Sequence, residues 1–263
     1  MKLILFLLLL SLKSLSQVDT SYLSVCSWNI QNFGKSKSES ELLYIAQKVK
    51  SFDIVAIQEV STSEWGAKTI ALLDDYLDRT GSSWDYIISD ATLGDGSERY
   101  AFLYKKHRVK LKSHHLVQEL QIEIGREPFL AKFIFHNLEY TFYNLHLVPT
   151  AKKPQLEVLK LGEYFNQTNS RIIILGDFNL GSSDKSFYKL KTSFTEIFIS
   201  EKTSLKMKPS TKGEVLNLPY DNFFVSRMIK SKNAEVILFY KDFKTLEEAR
   251  KISDHCPIKI LIK

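Results

Sequence analysis

The sequence predicts an α/β fold in which two mixed β-sheets pack together and helices lie on the outside. Many short apolar runs rich in Val, Ile and aromatic residues have the length and composition of buried strands. Segments with helical periodicity are fewer. Two strand candidates, 129–135 and 139–146, are close enough in sequence to form a hairpin. Strand pairs of this kind favour mixed sheets over a simple repeat of strand–helix–strand units.

The predicted elements follow one another without a linker, a repeat or a low-complexity tract. Ser38 and Glu41 have the spacing of a capping box, which predicts a helix that runs to about Lys50. The run DIVAIQEV that follows is typical of a buried strand. Further helices are predicted over 65–79 and 154–164. The remaining strand candidates are 84–89, 99–105, 129–135, 139–146, 171–176, 221–226, 234–239 and 256–262.

Length and composition are sufficient for one domain, 17–263. With 263 residues, of which 44% are hydrophobic, the chain can bury the core of a layered α/β enzyme. The opening segment, 1–16, has a basic start, an apolar stretch and a small residue at Ser16, which is the pattern of a secretory signal peptide. A membrane anchor is the alternative, but the apolar run is shorter than the roughly 20 residues that span a bilayer, and Lys13 interrupts it. The sequence therefore predicts a secreted protein, extracellular or periplasmic, without a membrane span.

Charge and cysteine content narrow the class of protein only slightly. Loss of Lys2 and Lys13 with the signal peptide lowers the basic count from 36 to 34 against 30 acidic residues, so the net charge falls from +6 to about +4. This mild basic bias is compatible with a polyanionic substrate but does not identify one. Two cysteines cannot form a disulfide framework. Cys26 and Cys256 lie in apolar, strand-like surroundings, which favours buried free thiols over a single bridge.

Polar residues stand at the ends of several of the apolar runs. Polar side chains just beyond strand ends are where a rigid sheet presents chemistry. A hydrolytic metal site is the simplest explanation of acids, amides and imidazoles in such positions. These residues are Asn29, Glu59, His146, Asp177, Asn179, Asp221, Asp254 and His255.

A series of sequence strings resembles the endonuclease/exonuclease/phosphatase superfamily. The strings occur in the order and spacing of that superfamily and cover residues 22–262. Two of them, SERYAFLYK and GREPFLAKF, resemble the deoxyribonuclease I branch in particular, whereas GDFN and SDH indicate only the superfamily. The resemblance implies a four-layered sandwich of two packed β-sheets flanked by helices, with the site at one end of the sheets. The strings are SWNIQNFG, IQEV, SERYAFLYK, REPFLAKF, NLHLVP, LGDFN, YDNFFVS and SDHCP.

The resemblance implies a metal-dependent hydrolase of phosphodiester bonds. Such hydrolysis needs a cation on the phosphate, an activated water and help for the leaving oxygen. Glu59 is a hard oxygen ligand suited to Mg²⁺ or Mn²⁺. By resemblance, Asn29, Asp177 and Asp254 complete the metal site as ligands or as partners of ligands. Without the resemblance, Glu59 would be an ordinary solvated carboxylate at the end of a strand.

Two imidazoles are predicted to share the proton transfers. The resemblance pairs Asp221 with His255 and Glu98 with His146. A carboxylate on one ring nitrogen fixes the tautomer and raises the pKa of the imidazole. His255 would act as the base, or as a cation that binds the phosphate, and His146 would assist the departing oxygen. Taken alone, His146 is equally consistent with a core histidine. The other histidines, His107, His114, His115 and His136, match nothing in the family and are predicted to lie on the surface.

Two further residues are predicted to contact the phosphate. Asn179 lies two residues beyond Asp177, so in an extended segment both side chains would point to the same face. Arg126 matches the family's phosphate-contacting arginine and would bind a phosphate bidentately. An ordinary loop arginine is the alternative interpretation of Arg126.

Three departures from the family concern the grip on DNA. Deoxyribonuclease I contacts the minor groove partly through two arginines and a tyrosine, and the corresponding positions here hold Gln31, Ser61 and Gly96. The segment between Leu111 and Arg126 also lacks the cysteine-containing, acid-rich loop of the animal enzymes. A structural Ca²⁺ carried by that loop is therefore not predicted.

The sequence thus predicts a secreted, Mg²⁺- or Mn²⁺-dependent endonuclease that hydrolyses DNA and leaves 5′-phosphate and 3′-hydroxyl ends. It is expected to act as a monomer without a protein partner. A phosphatase or phospholipase of the same superfamily, acting on inositol phosphates or sphingomyelin, would have the same central chemistry. A binding module that kept the fold and lost catalysis is the third interpretation, and the joint presence of the predicted site residues argues against it. The sequence leaves open the choice between DNA and RNA, and between duplex and single strand.

Overall fold

A computed structural model describes residues 20–94, 96–166, 169–198 and 200–263. The predicted signal peptide, 1–16, lies outside the described residues. Within them, no helix combines the length and the apolar character needed to cross a bilayer. The strands of the described part are β1 Leu23–Phe33, β2 Ile54–Val60, β3 Trp84–Ile88, β4 Arg99–Lys105, β5 Lys110–Leu116, β6 Phe129–Phe135, β7 Leu138–His146, β8 Ile172–Asp177, β9 Phe194–Glu196, β10 Asp221–Ser226, β11 Ser231–Val236 and β12 Ile258–Ile262.

The strands form two six-stranded mixed sheets, as predicted. The first sheet has the order β11-β12-β1-β2-β4-β3, and the second has the order β5-β6-β7-β8-β10-β9. Each sheet contains one parallel pair, β1 with β2 and β7 with β8, and its other neighbours are antiparallel. The predicted hairpin of 129–135 and 139–146 is present as β6 and β7, whose turn places His136 and Asn137 in the left-handed region.

Side-chain alternation gives each sheet an inner and an outer apolar face. The inner faces pack together, and Phe102 of β4 lies with its ring centroid 6.0 Å from that of Phe133 of β6. The outer face of the first sheet carries α1 Glu39–Val49, α2 Glu64–Asp78 and α5 Leu246–Ile252, whereas the second carries α3 Pro154–Tyr164 and the short α4 Leu190–Ser193. Each large apolar side chain buried in this way stabilises the fold by about 1.5–3 kcal/mol. The four-layered arrangement is therefore confirmed.

The local signals for two helices are confirmed as well. The Ser38 side chain accepts from the Glu41 backbone N–H, and the Glu41 carboxylate accepts from the Ser38 backbone N–H, so the predicted capping box opens α1. Pro154 occupies the first turn of α3, where its missing N–H costs nothing. Cys26 and Cys256 are both buried free thiols, as expected.

The sequence patterns missed or displaced several elements. Strand β5 reads KLKSHHL, is largely exposed and forms the edge of its sheet, so it carries no apolar pattern. Strand β11 covers 231–236 rather than the predicted 234–239, because it too is an exposed edge strand and the apolar residues after it turn onto the outer cluster. Helix α5 was not predicted, although Thr245 and Glu248 form a capping box that would have indicated its start.

Candidate active site

The predicted site residues converge on one end of the two sheets. Asn29 lies in β1 and Glu59 near the end of the parallel strand β2, while His146 and Asp177 end the parallel strands β7 and β8. The carboxyl ends of parallel neighbours meet at the same edge, and His146 is the register partner of Asp177. Asp221 begins the antiparallel strand β10 opposite Asp177, so it reaches the same edge from the other direction.

Asp177 is the centre of the arrangement. Its carboxylate is buried, and its Oδ2 lies 3.4 Å from Nε2 of His146 and 3.6 Å from Nε2 of His255. The Asn29 amide donates to the same oxygen at 3.0 Å. Burial raises the pKa of Asp177, but the two imidazoles and the donated hydrogen bonds offset it, so its pKa falls below the usual range. One buried carboxylate therefore faces both predicted proton-transfer groups.

Glu98 and His146 form the first predicted carboxylate–imidazole pair. His146 Nδ1 lies 2.9 Å from Glu98 Oε2. The other carboxylate oxygen, Oε1, accepts from the backbone N–H of Glu59 at 3.2 Å, so the pair is joined to the predicted metal ligand. Burial lowers the pKa of His146, but Glu98 and Asp177 more than offset it and raise the pKa above the ordinary value.

Asp221 and His255 form the second pair. His255 Nδ1 lies 2.7 Å from Asp221 Oδ2, and the Thr203 hydroxyl donates to the same oxygen at 2.6 Å. Burial lowers the pKa of His255, but Asp221 and Asp177 raise it well above the ordinary value. The ring of Tyr220 stacks near His255, with 6.4 Å between the ring centroids.

The predicted metal ligands divide into two groups. Asn29 donates to Glu59 Oε1 at 3.1 Å as well as to Asp177, so these three side chains are in direct contact. Asp254 instead accepts from Gln31 at 3.2 Å and from Arg250 at 3.4 Å. Carboxylate and amide oxygens of this kind suit a hard cation.

Two observations bear on whether a cation fits there. The Asn29 Oδ1 atom is buried and lacks a hydrogen-bond partner among the described residues. A buried acceptor of this kind is costly unless something satisfies it, which a hard cation would do. Asp177, Asp221 and His255 also lie close enough together to hold a metal. Asp221 Oδ2 is engaged by Thr203 and His255, whereas its Oδ1 is buried without a partner among the described residues, so the argument from an orphaned acceptor applies to this group as well.

Backbone strain accompanies this end of the sheets. Glu59, Asn32 and Asn179 adopt left-handed φ angles of 60°, 53° and 49°. Such conformations cost about 1–3 kcal/mol each and concentrate at functional sites. The turn at Glu59 presents its Oε2 to the Asn32 backbone N–H at 2.9 Å, which holds the carboxylate at the end of β2.

The segment from Asp177 to Asn179 is not extended, so the condition under which both side chains would share a face is not met. Strand β8 ends at Asp177, and the left-handed turn lets the Asn179 backbone N–H donate to Asp177 Oδ1 at 2.8 Å. The Asn179 amide donates to the Leu147 carbonyl at 2.9 Å. Asn179 therefore braces the end of β8 against the end of β7.

Arg126 has partners that the sequence did not predict. Its guanidinium is buried and donates to Glu98 Oε2 at 3.0 Å, to the His146 carbonyl at 2.9 Å and to the Leu147 carbonyl. Three of the five guanidinium N–H groups are thus directed at the protein. In this arrangement Arg126 holds the first carboxylate–imidazole pair against the end of β7, and a bidentate contact with phosphate stays a prediction.

Several supporting residues escaped sequence analysis. Thr203 reaches Asp221 from a segment 18 positions away, and the Tyr100 hydroxyl accepts from the His146 backbone N–H at 3.2 Å. No sequence pattern marks the contact of Thr203, whereas Tyr100 belongs to the SERYAFLYK string, as Ser253 belongs to another. Ser253 was detectable, because it belongs to the SDH string; its hydroxyl donates to the Asn29 carbonyl and accepts from the His255 backbone N–H.

An open cleft of about 490 Å³ leads to this end of the sheets. Its lining residues include Lys35, Glu59, Ser61, Gly96, Glu98 and Arg126. Gly96 has a φ of +80°, which favours glycine, and a Cβ there would meet only the Arg126 guanidinium at 4.0 Å. The cleft is thus lined by the predicted metal ligand Glu59 and by Glu98, the carboxylate of the first imidazole pair.

Comparisons with known proteins agree with this geometry. The sequence model of the Endonuclease/Exonuclease/phosphatase family matches residues 26–255. Human deoxyribonuclease gamma is 30% identical, over 98% of this chain and 90% of that protein. Bovine deoxyribonuclease-1 is 28% identical, over 97% of both chains. The similarity to these relatives therefore extends along nearly the whole of each chain.

Solved structures show the same fold. A Bacteroides thetaiotaomicron protein of the endonuclease/exonuclease/phosphatase family superposes with a TM-score of 0.66 at 20% identity, over 92% of this chain and 97% of that one. A mannosyl-6-phosphatase from the same organism also superposes with a TM-score of 0.66, at 21% identity, over 92% of this chain and 99% of that one. At these identities the likeness concerns the fold alone.

Proposed function

The chain belongs to the Endonuclease/Exonuclease/phosphatase family, and we propose that it is a secreted, divalent-metal-dependent endonuclease that hydrolyses phosphodiester bonds of DNA. The products would carry 5′-phosphate and 3′-hydroxyl ends. The observation that carries the proposal is the convergence of two carboxylate–imidazole pairs on Asp177, next to Asn29 and Glu59. The deoxyribonuclease names of the relatives support DNA as the substrate.

A divalent cation, Mg²⁺ or Mn²⁺, would be held by Glu59, Asn29, Asp177 and Asp254. When bound, it would neutralise negative charge on the phosphate and on the departing oxygen. The orphaned Asn29 Oδ1 atom and the adjoining carboxylates support this assignment. No structural Ca²⁺ is proposed.

The chain's own residues would hold and move the protons. Asp221 at Nδ1 of His255 directs the other ring nitrogen, Nε2, towards the Asp177 side of the site, where it would accept a proton from water or bind the phosphate as a cation. Glu98 orients His146 in the same manner, and Nε2 of His146 would assist the departing oxygen. Asn179 and Arg126 would contact phosphate oxygens.

The rest of the proposal concerns the form of the protein. Residues 1–16 would act as a signal peptide, and 17–263 would be a single catalytic domain. The domain would act as an extracellular or periplasmic monomer without a protein partner.

A phosphatase or phospholipase of the same family is the second candidate, and two observations favour it. The fold is shared with a mannosyl-6-phosphatase, and Gln31, Ser61 and Gly96 stand where deoxyribonuclease I has its groove contacts. The central chemistry would be the same, so only substrate tests separate a phosphatase or phospholipase from a nuclease.

The decisive experiment compares substrates under one set of conditions. Purified protein is incubated with plasmid DNA, RNA, sphingomyelin and inositol phosphates, with Mg²⁺ or with EDTA. We expect nicking of DNA that requires Mg²⁺ and is lost in Glu59→Ala. The matched control is Glu123→Ala, which removes an exposed acid that pairs with Lys160 away from the cleft. Turnover of a phosphate monoester or a phospholipid, with intact DNA, would contradict the nuclease proposal.

A further inference from the structure

An exposed tryptophan flanked by two lysines lies next to the cleft that Glu59 lines. Trp65 is 41% exposed, whereas the other two tryptophans, Trp28 and Trp84, are buried at 0% and 1%. The Lys35 ammonium lies 5.6 Å from the Trp65 ring centroid, and the Lys68 ammonium lies 5.0 Å from it. An exposed aromatic face can stack on a base, and two cations beside it can bind the neighbouring phosphates.

The first turn of α2, which carries Trp65, packs against the segment that follows Glu59. The backbone N–H of Ser61, two residues after Glu59, donates to the Phe33 carbonyl at 2.9 Å. Gly66 packs so closely against Ser61 that a Cβ on it would lie 1.9 Å from the Ser61 carbonyl oxygen. Lys35 lines the cleft together with Glu59, and its ammonium group connects the cleft to the neighbouring ring of Trp65.

From this placement we propose that Trp65 stacks on an unpaired base of the DNA strand held in the cleft, with Lys35 and Lys68 contacting adjacent phosphates. The inference rests on the proposed function and narrows its substrate to DNA with unpaired bases. A base offers its face to an aromatic ring only when it is unstacked from its own neighbours. The positions at which deoxyribonuclease I contacts the minor groove hold short or uncharged residues here, namely Gln31, Ser61 and Gly96.

The two lysines can leave the Trp65 ring when a base binds there. Both ammonium groups stand at the ends of flexible stems, so they can move from the ring to a phosphate when a base covers the ring. Lys68 also pairs with Glu64 at 2.8 Å, four residues earlier on α2. The Glu64 carboxylate thus competes with phosphate for Lys68, and its removal should strengthen DNA binding.

Tryptophan fluorescence tests the proposal directly, because Trp65 is the exposed tryptophan. The protein carries His146→Ala in EDTA, so that it binds without cleaving, and is titrated with oligothymidylate and with duplex DNA. We expect saturable quenching by the single strand. Trp65→Leu should abolish the quenching. Measured by the anisotropy of a labelled oligonucleotide, it should also weaken single-strand affinity about tenfold, with little change for duplex. Glu64→Gln should tighten single-strand binding by about twofold.

Leu72→Ala is the matched control, because Leu72 is a similarly exposed apolar residue on the same helix. Equal single-strand affinity of Trp65→Leu and the parent would overturn the inference, as would equal losses for single strand and duplex. A parallel cleavage assay with Mg²⁺ and intact His146 separates this result from the proposed function. DNA cleavage without a Trp65 effect overturns only the stacking, whereas no cleavage of any DNA overturns both.

Discussion

The two carboxylate–imidazole pairs differ in the other groups that contact the carboxylate. Glu98 is shared among His146, the Arg126 guanidinium and the backbone N–H of Glu59. Asp221 has a neutral supporter, the Thr203 hydroxyl, and its Oδ1 is buried without a partner among the described residues. One carboxylate therefore divides its charge between two cations, while the other directs its charge at one imidazole.

The difference affects the basicity of the two rings. Arg126 lowers the pKa of His146 and opposes the effect of Glu98. His255 experiences Asp221 and Asp177 together, so its pKa rises well above the ordinary value. His255 is thus the better suited of the two rings to carry a positive charge against phosphate, and His146, whose pKa Arg126 holds down, is the better suited to release its proton.

The largest effect is expected from the residue that both pairs face. Asp177→Asn removes the charge opposite both Nε2 atoms and one proposed metal ligand, so turnover of DNA should fall by about 10³-fold or more. Turnover is measured with plasmid DNA and Mg²⁺, with circular dichroism to verify the fold. Asp75→Asn, on the exposed side of α2, serves as the control. Turnover near that of the parent would remove Asp177 from the centre of the site.

The two imidazoles should have comparable importance. His146→Ala and His255→Ala are each expected to lower turnover by about 10²-fold or more, with smaller changes in KM. The double variant should lose much less than the product of the two factors, because the rings act on one reaction. His107→Ala, at an exposed position, should be neutral. If either single variant lost only a fewfold, that ring would be a core histidine rather than a participant.

Substitution of Arg126 distinguishes two roles of this residue, support of Glu98 and contact with the phosphate. Arg126→Met leaves a buried carboxylate without its cation, so we expect a loss of stability of about 3–5 kcal/mol. If Arg126 mainly holds the pair, turnover should fall about tenfold and KM should change little. A rise in KM with unchanged turnover would instead assign Arg126 to phosphate binding. Arg126→Lys keeps the charge but not the planar fork, and should recover part of the stability.

The smallest expected effect is a difference between the pKa values of His255 and His146 in the metal-free protein. In EDTA, His255 should have a higher pKa than His146, and both should exceed the ordinary value. Both folded-state pKa values are raised, so protonation stabilises the metal-free fold. That stabilisation is complete below about pH 6.5 and is lost as the pH rises through the folded-state pKa values. Nitrogen-detected NMR titration measures the order, and a higher pKa for His146 would reverse the comparison.

Most of the fold followed from local patterns. Buried strands such as β2 and β8 carry continuous apolar runs, and α1 and α3 carry their own start signals at Ser38 and Pro154. Edge strands such as β5 carry no continuous apolar run, because a strand with a solvated face and a free edge does not need one. The positions of polar residues at strand ends also indicated which side chains gather at the site.

The sequence by itself determined the chemical types at the site and the strand ends that present them, because burial and periodicity are local properties of the chain. The family resemblance also indicated the two carboxylate–imidazole pairs, which the structure contains. Only the tertiary structure decided which residues support those pairs and the end of β8. Arg126 is directed to Glu98 and the end of β7, Thr203 is brought to Asp221, and the left-handed turn at Asn179 closes onto Asp177. These contacts join segments that are distant in sequence or depend on one unusual backbone angle. The pattern of side chains along a strand indicates neither the contacts between distant segments nor the backbone angle at one residue.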